Sequence, residues 1–134
     1  MNIMNNGSIA VCPALTREAV EDIQRNVVYN KSLQGYGFEN INPGELEIVI
    51  EDEPGANIEN TITDLVRILE PMGYKLDGEI SYYGDYEGTI YVRNNKVTDL
   101  DIRDMWKMEA TDAELLEVLE IRGYNISSLK EVAA

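Results

Sequence analysis

The feature that most constrains the fold is a run of three strand-like segments separated by short polar turns. Residues 76–83, 89–93 and 96–102 are rich in the β-branched and aromatic side chains typical of strands. A glycine-rich turn joins the first two segments, and the dipeptide Asn94-Asn95 joins the second to the third. Asparagine tolerates the positive φ angles that a two-residue hairpin turn requires. The sequence therefore predicts an antiparallel three-stranded meander in this part of the chain.

Two strand–helix pairs are predicted before this meander, and one helix after it. Threonine residues mark the first positions of the helices, because a threonine hydroxyl can accept hydrogen bonds from first-turn N–H groups. The predicted order is β-α-β-α-β-β-β-α, which indicates a two-layer α+β fold with helices on one face of a largely antiparallel sheet. A single domain is predicted over residues 1–134. The strands are residues 7–12 and 45–51, the helices begin at Thr16, Thr61 and Thr111, and residues 26–43 form a loop without an assigned role.

The charge of the chain excludes several classes of function. It has 25 acidic and 11 basic residues, which give a formal net charge of −14 at pH 7. Nucleic acids and anionic membranes carry the same sign of charge, so a cationic protein is the favoured partner. The chain has no histidine and a single cysteine, which excludes histidine-based catalysis and an internal disulfide. The single cysteine favours a reducing compartment, so a cytoplasmic protein is predicted. No membrane span is predicted, because no apolar run approaches the roughly 18 residues that one needs.

The acidic residues imply binding only if they are concentrated on one surface. Averaged over the folded surface there is about one net charge per 500 Å², against about one per 100 Å² on duplex DNA. Alternate residues of a strand share a face, and we expect Leu46, Leu100 and Ile102 to point inwards. The predicted outward face then carries seven carboxylates, namely Glu45, Glu47, Glu51, Asp77, Glu79, Asp99 and Asp101. The alternative is a solvated face that keeps the protein soluble.

Aromatic residues beside these acids add a second candidate feature. Tyr83 and Tyr86 lie in the predicted first hairpin, together with Asp85 and Glu87. Tyrosine is enriched at the hot spots of protein interfaces, whereas stacking on nucleic-acid bases usually accompanies a basic groove. The hairpin is therefore predicted to bind a protein partner, and packing between strands is the alternative use of its tyrosines.

Two of the predicted outward carboxylates, together with Asp104, are a candidate metal site. Asp99, Asp101 and Asp104 carry the oxygen ligands that Mg²⁺ and Ca²⁺ prefer. Their spacing does not fit the twelve-residue calcium loop, and two of them are predicted to point into solvent. The sequence therefore predicts no metal, no cofactor and no enzymatic activity, with a metal-dependent hydrolase as the remaining alternative.

Three segments, residues 7–15, 78–88 and 90–97, resemble small acidic uncharacterised proteins encoded by phages and prophages. In those proteins the hairpin turn is also rich in glycine and acids, and the next strand often has an aromatic residue at the position of Tyr91. The resemblance covers about half of the chain and provides no catalytic residues. It implies a protein of mobile-element origin in a bacterial host cytoplasm. Proteins of that kind are often inhibitors of host defence, including anti-CRISPR proteins.

Charge, surface pattern and resemblance together predict a non-enzymatic inhibitor. It would present a DNA-like carboxylate face to a basic surface of a nucleic-acid-binding protein, without binding nucleic acid or membranes itself. The alternative is a structural or assembly module that forms homo-oligomers, with its charge serving solubility.

Overall fold

The computed structural model describes residues 2–127 and contains a five-stranded antiparallel sheet. The strands are β1 (Ile3–Cys12), β2 (Glu47–Pro54), β3 (Lys75–Gly84), β4 (Gly88–Arg93) and β5 (Lys96–Asp101), and their order in the sheet is β2-β1-β3-β4-β5. The helices are α1 (Arg17–Tyr29), α2 (Ile58–Leu69), α3 (Trp106–Glu109) and α4 (Asp112–Ile121). The predicted α+β class and order are confirmed, and the short α3 is an addition to them.

The contacts divide the chain into two compact units. The first unit ends at Ile102, and the second begins at Arg103. The first unit holds the sheet with α1 and α2, and the second holds α3 and α4. In the second unit, Thr111 caps α4 as predicted, because its hydroxyl oxygen accepts the N–H of Glu114 at 3.1 Å. The predicted single domain also covers residues 1 and 128–134, which lie outside the described residues.

The hydrophobic core lies between one face of the sheet and the two helices of the first unit. The spacing of the apolar residues in the sequence predicts one stripe on each helix, and both stripes are buried. They are Ala19, Val20 and Ile23 on α1 and Ile62, Leu65, Val66 and Leu69 on α2. On the sheet, apolar residues at alternate positions of β1, β2, β3 and β4 are buried in the same cluster. These buried sheet residues are Ile9, Val11, Ile48, Ile50, Leu76, Ile80, Ile90 and Val92.

Helix α2 begins earlier than predicted, at Ile58 instead of just after Thr61. Thr61 is buried inside the helix, where its hydroxyl donates to the carbonyl oxygen of Ser32 at 2.5 Å. Asp64 accepts a hydrogen bond from the side-chain amide of Asn30 at 2.9 Å. The predicted helix start at Thr61 is therefore wrong, because the side chains of Thr61 and Asp64 hold the 30–33 turn against the helix instead of capping it.

Strand β1 also begins earlier than predicted, at Ile3 instead of residue 7. Asn5 is buried, and its side-chain amide donates to the carbonyl oxygens of Glu53 at 3.0 Å and Gly55 at 2.9 Å. These two bonds replace ladder contacts at the point where β2 leaves the sheet. Asn5 thus fastens the connection from β2 to α2.

Candidate partner-binding surface

The sheet face opposite α1 and α2 carries exposed carboxylates on both sides of β1. In the register of the sheet, Ala10 of β1 lies opposite Glu47 of β2 and also opposite Asp77 of β3. Glu51 and Glu79 lie farther along the same two strands, on the same face and also exposed. These four residues, Glu47, Glu51, Asp77 and Glu79, are called the sheet-face carboxylates below.

The sheet-face carboxylates occupy a small area. Because neighbouring strands lie about 4.8 Å apart, β2 and β3 are separated by about 10 Å, and Glu47 and Glu51 are about 13 Å apart along β2. Four charges in a patch of that size reach the density of duplex DNA, about one charge per 100 Å². The patch nevertheless has only the charge of about two base pairs, so the resemblance to DNA is local.

Basic side chains on the same face reduce the charge of its β3 side. The guanidinium Nη2 of Arg93 lies 3.3 Å from the carboxylate Oε2 of Glu79. Lys75 and Lys96 lie on this face at the ends of their strands, where Lys96 is opposite Arg93. Neither β2 carboxylate is in an ion pair with another residue of the 2–127 segment. The unneutralised charge is therefore concentrated on the β2 side.

Asp99 and Asp101 lie on the other face of the sheet, where the helices pack. Asp99 is opposite the buried Ile90, and Asp101 is opposite Gly88. Leu100 was expected to point inwards, but its side chain lies on the face of the sheet away from the helices, so that expectation is wrong. The predicted position of these two carboxylates on the outward face is wrong, because the two-residue turn before β5 fixes the register of the whole strand.

Glu45 is not a face residue of β2, because the strand begins at Glu47. Its carbonyl oxygen accepts the N–H of Leu15 at 2.9 Å, in the segment that leads into the strand. Leu46 is 66% exposed and Ile102 is 59% exposed, so the expectation that they point inwards is wrong. The predicted set of seven outward carboxylates is thus reduced to four.

Asp99 forms a second acidic group with Glu59, and these two are called the junction carboxylates. The hydroxyl of Tyr82 donates to Oδ1 of Asp99 at 2.7 Å. Burial, together with the charge and hydrogen bond of Asp99, raises the pKa of Glu59 above its ordinary value. Burial and the hydrogen bond to Asp99 likewise raise the pKa of the Tyr82 hydroxyl. Glu59 lies in the first turn of α2, so the junction links this helix to β5.

Sequence reasoning missed Glu59, because the predicted helix began after it. The available signal was the Asn94-Asn95 turn, which already sets Ile90 opposite Asp99 and so places Asp99 on the helix side. With that register, an acid beside the start of α2 was the expected neighbour.

The hairpin between β3 and β4 places its predicted residues at one end of the sheet. Tyr83 lies on the same face as the sheet-face carboxylates, and its hydroxyl donates to Oδ1 of Asp52 at 3.0 Å. This hydrogen bond is the largest cause of a raised pKa for Tyr83. Tyr86 is 58% exposed in the turn, and Asp85 and Glu87 beside it are also exposed. The hairpin therefore offers aromatic surface next to the carboxylates of β3.

No group of three potential metal ligands, Asp99, Asp101 and Asp104 included, is placed to hold an ion within the described part of the chain. In that same part, no helix is both long enough and apolar enough to cross a bilayer. Comparisons with protein-family models, curated proteins and solved structures find no match to this chain. The resemblance to phage proteins stays a prediction.

Proposed function

We propose that this protein is a non-enzymatic binding protein that docks the part of this sheet face formed by β2, β1 and β3 onto a basic surface of a nucleic-acid-handling protein. The observation that carries this proposal is the group of sheet-face carboxylates, exposed on both sides of a strand whose central side chain there is Ala10. A cationic side chain that approaches β1 meets carboxylates on two sides and no bulky residue between them. Such a partner would lose access to nucleic acid while it is bound.

Charge and contact area support the two stages of this binding. The net charge of −14 attracts a cationic partner over a distance set by ionic strength. The sheet-face carboxylates then pair with its basic groups, and Tyr83 and Tyr86 provide contact area at the end of the sheet. Because the sheet-face carboxylates occupy a small area, they can pair with only a few basic side chains of the partner.

A fluorescent deca-lysine peptide tests this proposal, with binding measured by anisotropy at two salt concentrations. The variant Glu47→Gln/Glu51→Gln/Asp77→Asn/Glu79→Gln is expected to bind about tenfold more weakly at low salt, since each exposed pair contributes about 0.2–1 kcal/mol. Its affinity is also expected to fall less steeply with added salt.

A second variant with the same net charge provides the control. Glu21→Gln/Glu39→Gln/Glu70→Gln/Glu117→Gln removes four exposed carboxylates that lie off the sheet. We expect it to keep most of the native affinity for deca-lysine. Equal losses in the two variants would show that binding follows net charge alone, and the proposed docking face would then be wrong.

A further inference from the structure

The outer edge of β2 is open for pairing, because β2 is an edge strand that pairs only with β1 within residues 2–127. The N–H of Val11 donates to the carbonyl oxygen of Leu46 at 2.8 Å. In an antiparallel pair the hydrogen-bonded residues alternate, so Ile48 also directs its backbone groups towards β1. Glu47 and Val49 consequently direct their N–H and C=O groups away from the sheet.

The residues with these outward backbone groups have a regular pattern of side chains. Glu47, Val49 and Glu51 alternate along β2 on its open face, and Val49 is 47% exposed. The open segment ends just after Glu51, because Asp52 has a φ of 47° in a bulge and Pro54 provides no N–H. The edge therefore presents acid, apolar and acid side chains at alternate positions, beside free hydrogen-bonding groups.

We propose that this edge binds an extended cationic segment of a partner protein as an additional antiparallel strand. Residues of the added strand that lie opposite Glu47, Val49 and Glu51 would be basic, apolar and basic, because cross-strand neighbours pair by charge and by apolar contact. The proposal rests on the proposed function, since two sheet-face carboxylates take part. Strand addition also requires backbone hydrogen bonds between β2 and the partner segment, which binding to a purely electrostatic surface does not need.

The charge pattern of the edge favours this occupant over a second copy of the chain. Antiparallel self-pairing about Val49 would place Glu47 of one copy opposite Glu51 of the other, twice. Like charges directly opposite each other destabilise a strand pair, and acidic edges are a common protection against self-association. Lysine or arginine at the same two positions of a foreign strand removes that repulsion.

Two isomeric peptides test the proposal at low salt, both blocked at their ends. In Thr-Lys-Thr-Val-Thr-Lys-Thr the basic and apolar residues share one face, whereas in Thr-Thr-Lys-Val-Lys-Thr-Thr they lie on opposite faces. We expect the first peptide to bind the native protein about five times more tightly, from two favourable cross-strand pairs. N-methylation of its valine, which blocks the backbone hydrogen bond, is expected to remove this preference.

Variants of the protein provide the second test. Val49→Pro removes an outward N–H without removing a bond to β1, and proline is tolerated on edge strands, so we expect it to fold and to bind both peptides equally. Glu51→Lys is expected to abolish the preference, and Glu21→Lys on α1, with the same charge change, to retain it. Retention of the preference by Val49→Pro would overturn the proposal.

The outcomes also separate this inference from the proposed function. Equal binding of the two isomers to the native protein would overturn strand addition. If that equal binding were then lost in the fourfold variant of the sheet-face carboxylates, docking on the face would stand by itself. If neither peptide bound at low salt while deca-lysine still did, strand addition alone would be overturned; if deca-lysine failed to bind as well, both proposals would be overturned.

Discussion

Asn5 is the residue whose role depends most on its exact position. It is fully buried, and its amide group donates to two carbonyl oxygens to which no other side chain within residues 2–127 donates. Asn5→Asp keeps the shape but removes both donors and places a carboxylate beside those oxygens. We expect it to lower the free energy of unfolding at pH 7 by about 3 kcal/mol or more, measured by urea denaturation. The loss should shrink on acidification, because burial raises the pKa of the introduced carboxyl and the neutral form is tolerated better.

The neighbouring asparagine is the matched control for this prediction. Asn6 is exposed on the opposite face of β1, so Asn6→Asp is expected to change the free energy of unfolding by no more than about 0.5 kcal/mol. Similar losses in the two variants would contradict the assigned role of Asn5. The sequence alone does not distinguish the two residues, because a buried asparagine is recognised only from the carbonyl groups that chain folding brings to it.

At the scale of elements, strand β5 shows which sequence signal decides the face of a side chain. Its apolar residues suggested that Leu100 points inwards, which left Asp99 in solvent. The turn at residues 94–95 predicts the opposite, because it sets Arg93 against Lys96 and hence Val92 against Val97. Apolarity was the weaker signal, since residues near the end of an edge strand need not be buried. The length of the turn fixed the register between β4 and β5, and this register decided which side chains of β5 lie on the helix side of the sheet.

The junction carboxylates allow a pH prediction at this scale. Because the pKa of Glu59 is raised in the folded protein, its protonated form is favoured by folding. This contribution to stability is present below the unfolded pKa of Glu59 and is lost as the pH rises through its folded pKa. The stability of Glu59→Gln relative to the native protein is therefore expected to increase between pH 4 and pH 7, by on the order of 0.5 kcal/mol for so exposed a group.

Thermal melts of both proteins at the two pH values measure this trend. The difference between pH values is informative because any pH-independent effect of the glutamine side chain adds the same offset at both pH values, whereas the net raised pKa of Glu59 produces the trend. Asp99→Asn provides the check, since it removes the charge that acts on Glu59 and should reduce the trend, while the part that comes from burial remains. A relative stability that falls as the pH rises would contradict the assigned interaction.

For the whole molecule, element order was predictable and the distribution of charge was not. Alternation, helix caps and turns are local signals, and they led to the confirmed order and to the apolar stripes of α1 and α2. Which acids share a surface depends on strand order and register, which are set by contacts far apart in the sequence. The four sheet-face carboxylates come together because β1 lies between β2 and β3, an arrangement that composition does not reveal.

The net charge of −14 predicts that screening stabilises the molecule. Acids outnumber bases by more than two to one, so repulsion between carboxylates outweighs the few ion pairs on the surface. Raising NaCl from about 20 mM to about 500 mM shortens the Debye length from roughly 20 Å to roughly 4 Å, and we expect the melting temperature to rise by several degrees. Both fourfold variants should show a smaller rise, because self-repulsion depends on total charge whichever face carries it. A melting temperature that falls with salt would mean that ion pairs dominate over repulsion within the folded protein, and would contradict this prediction.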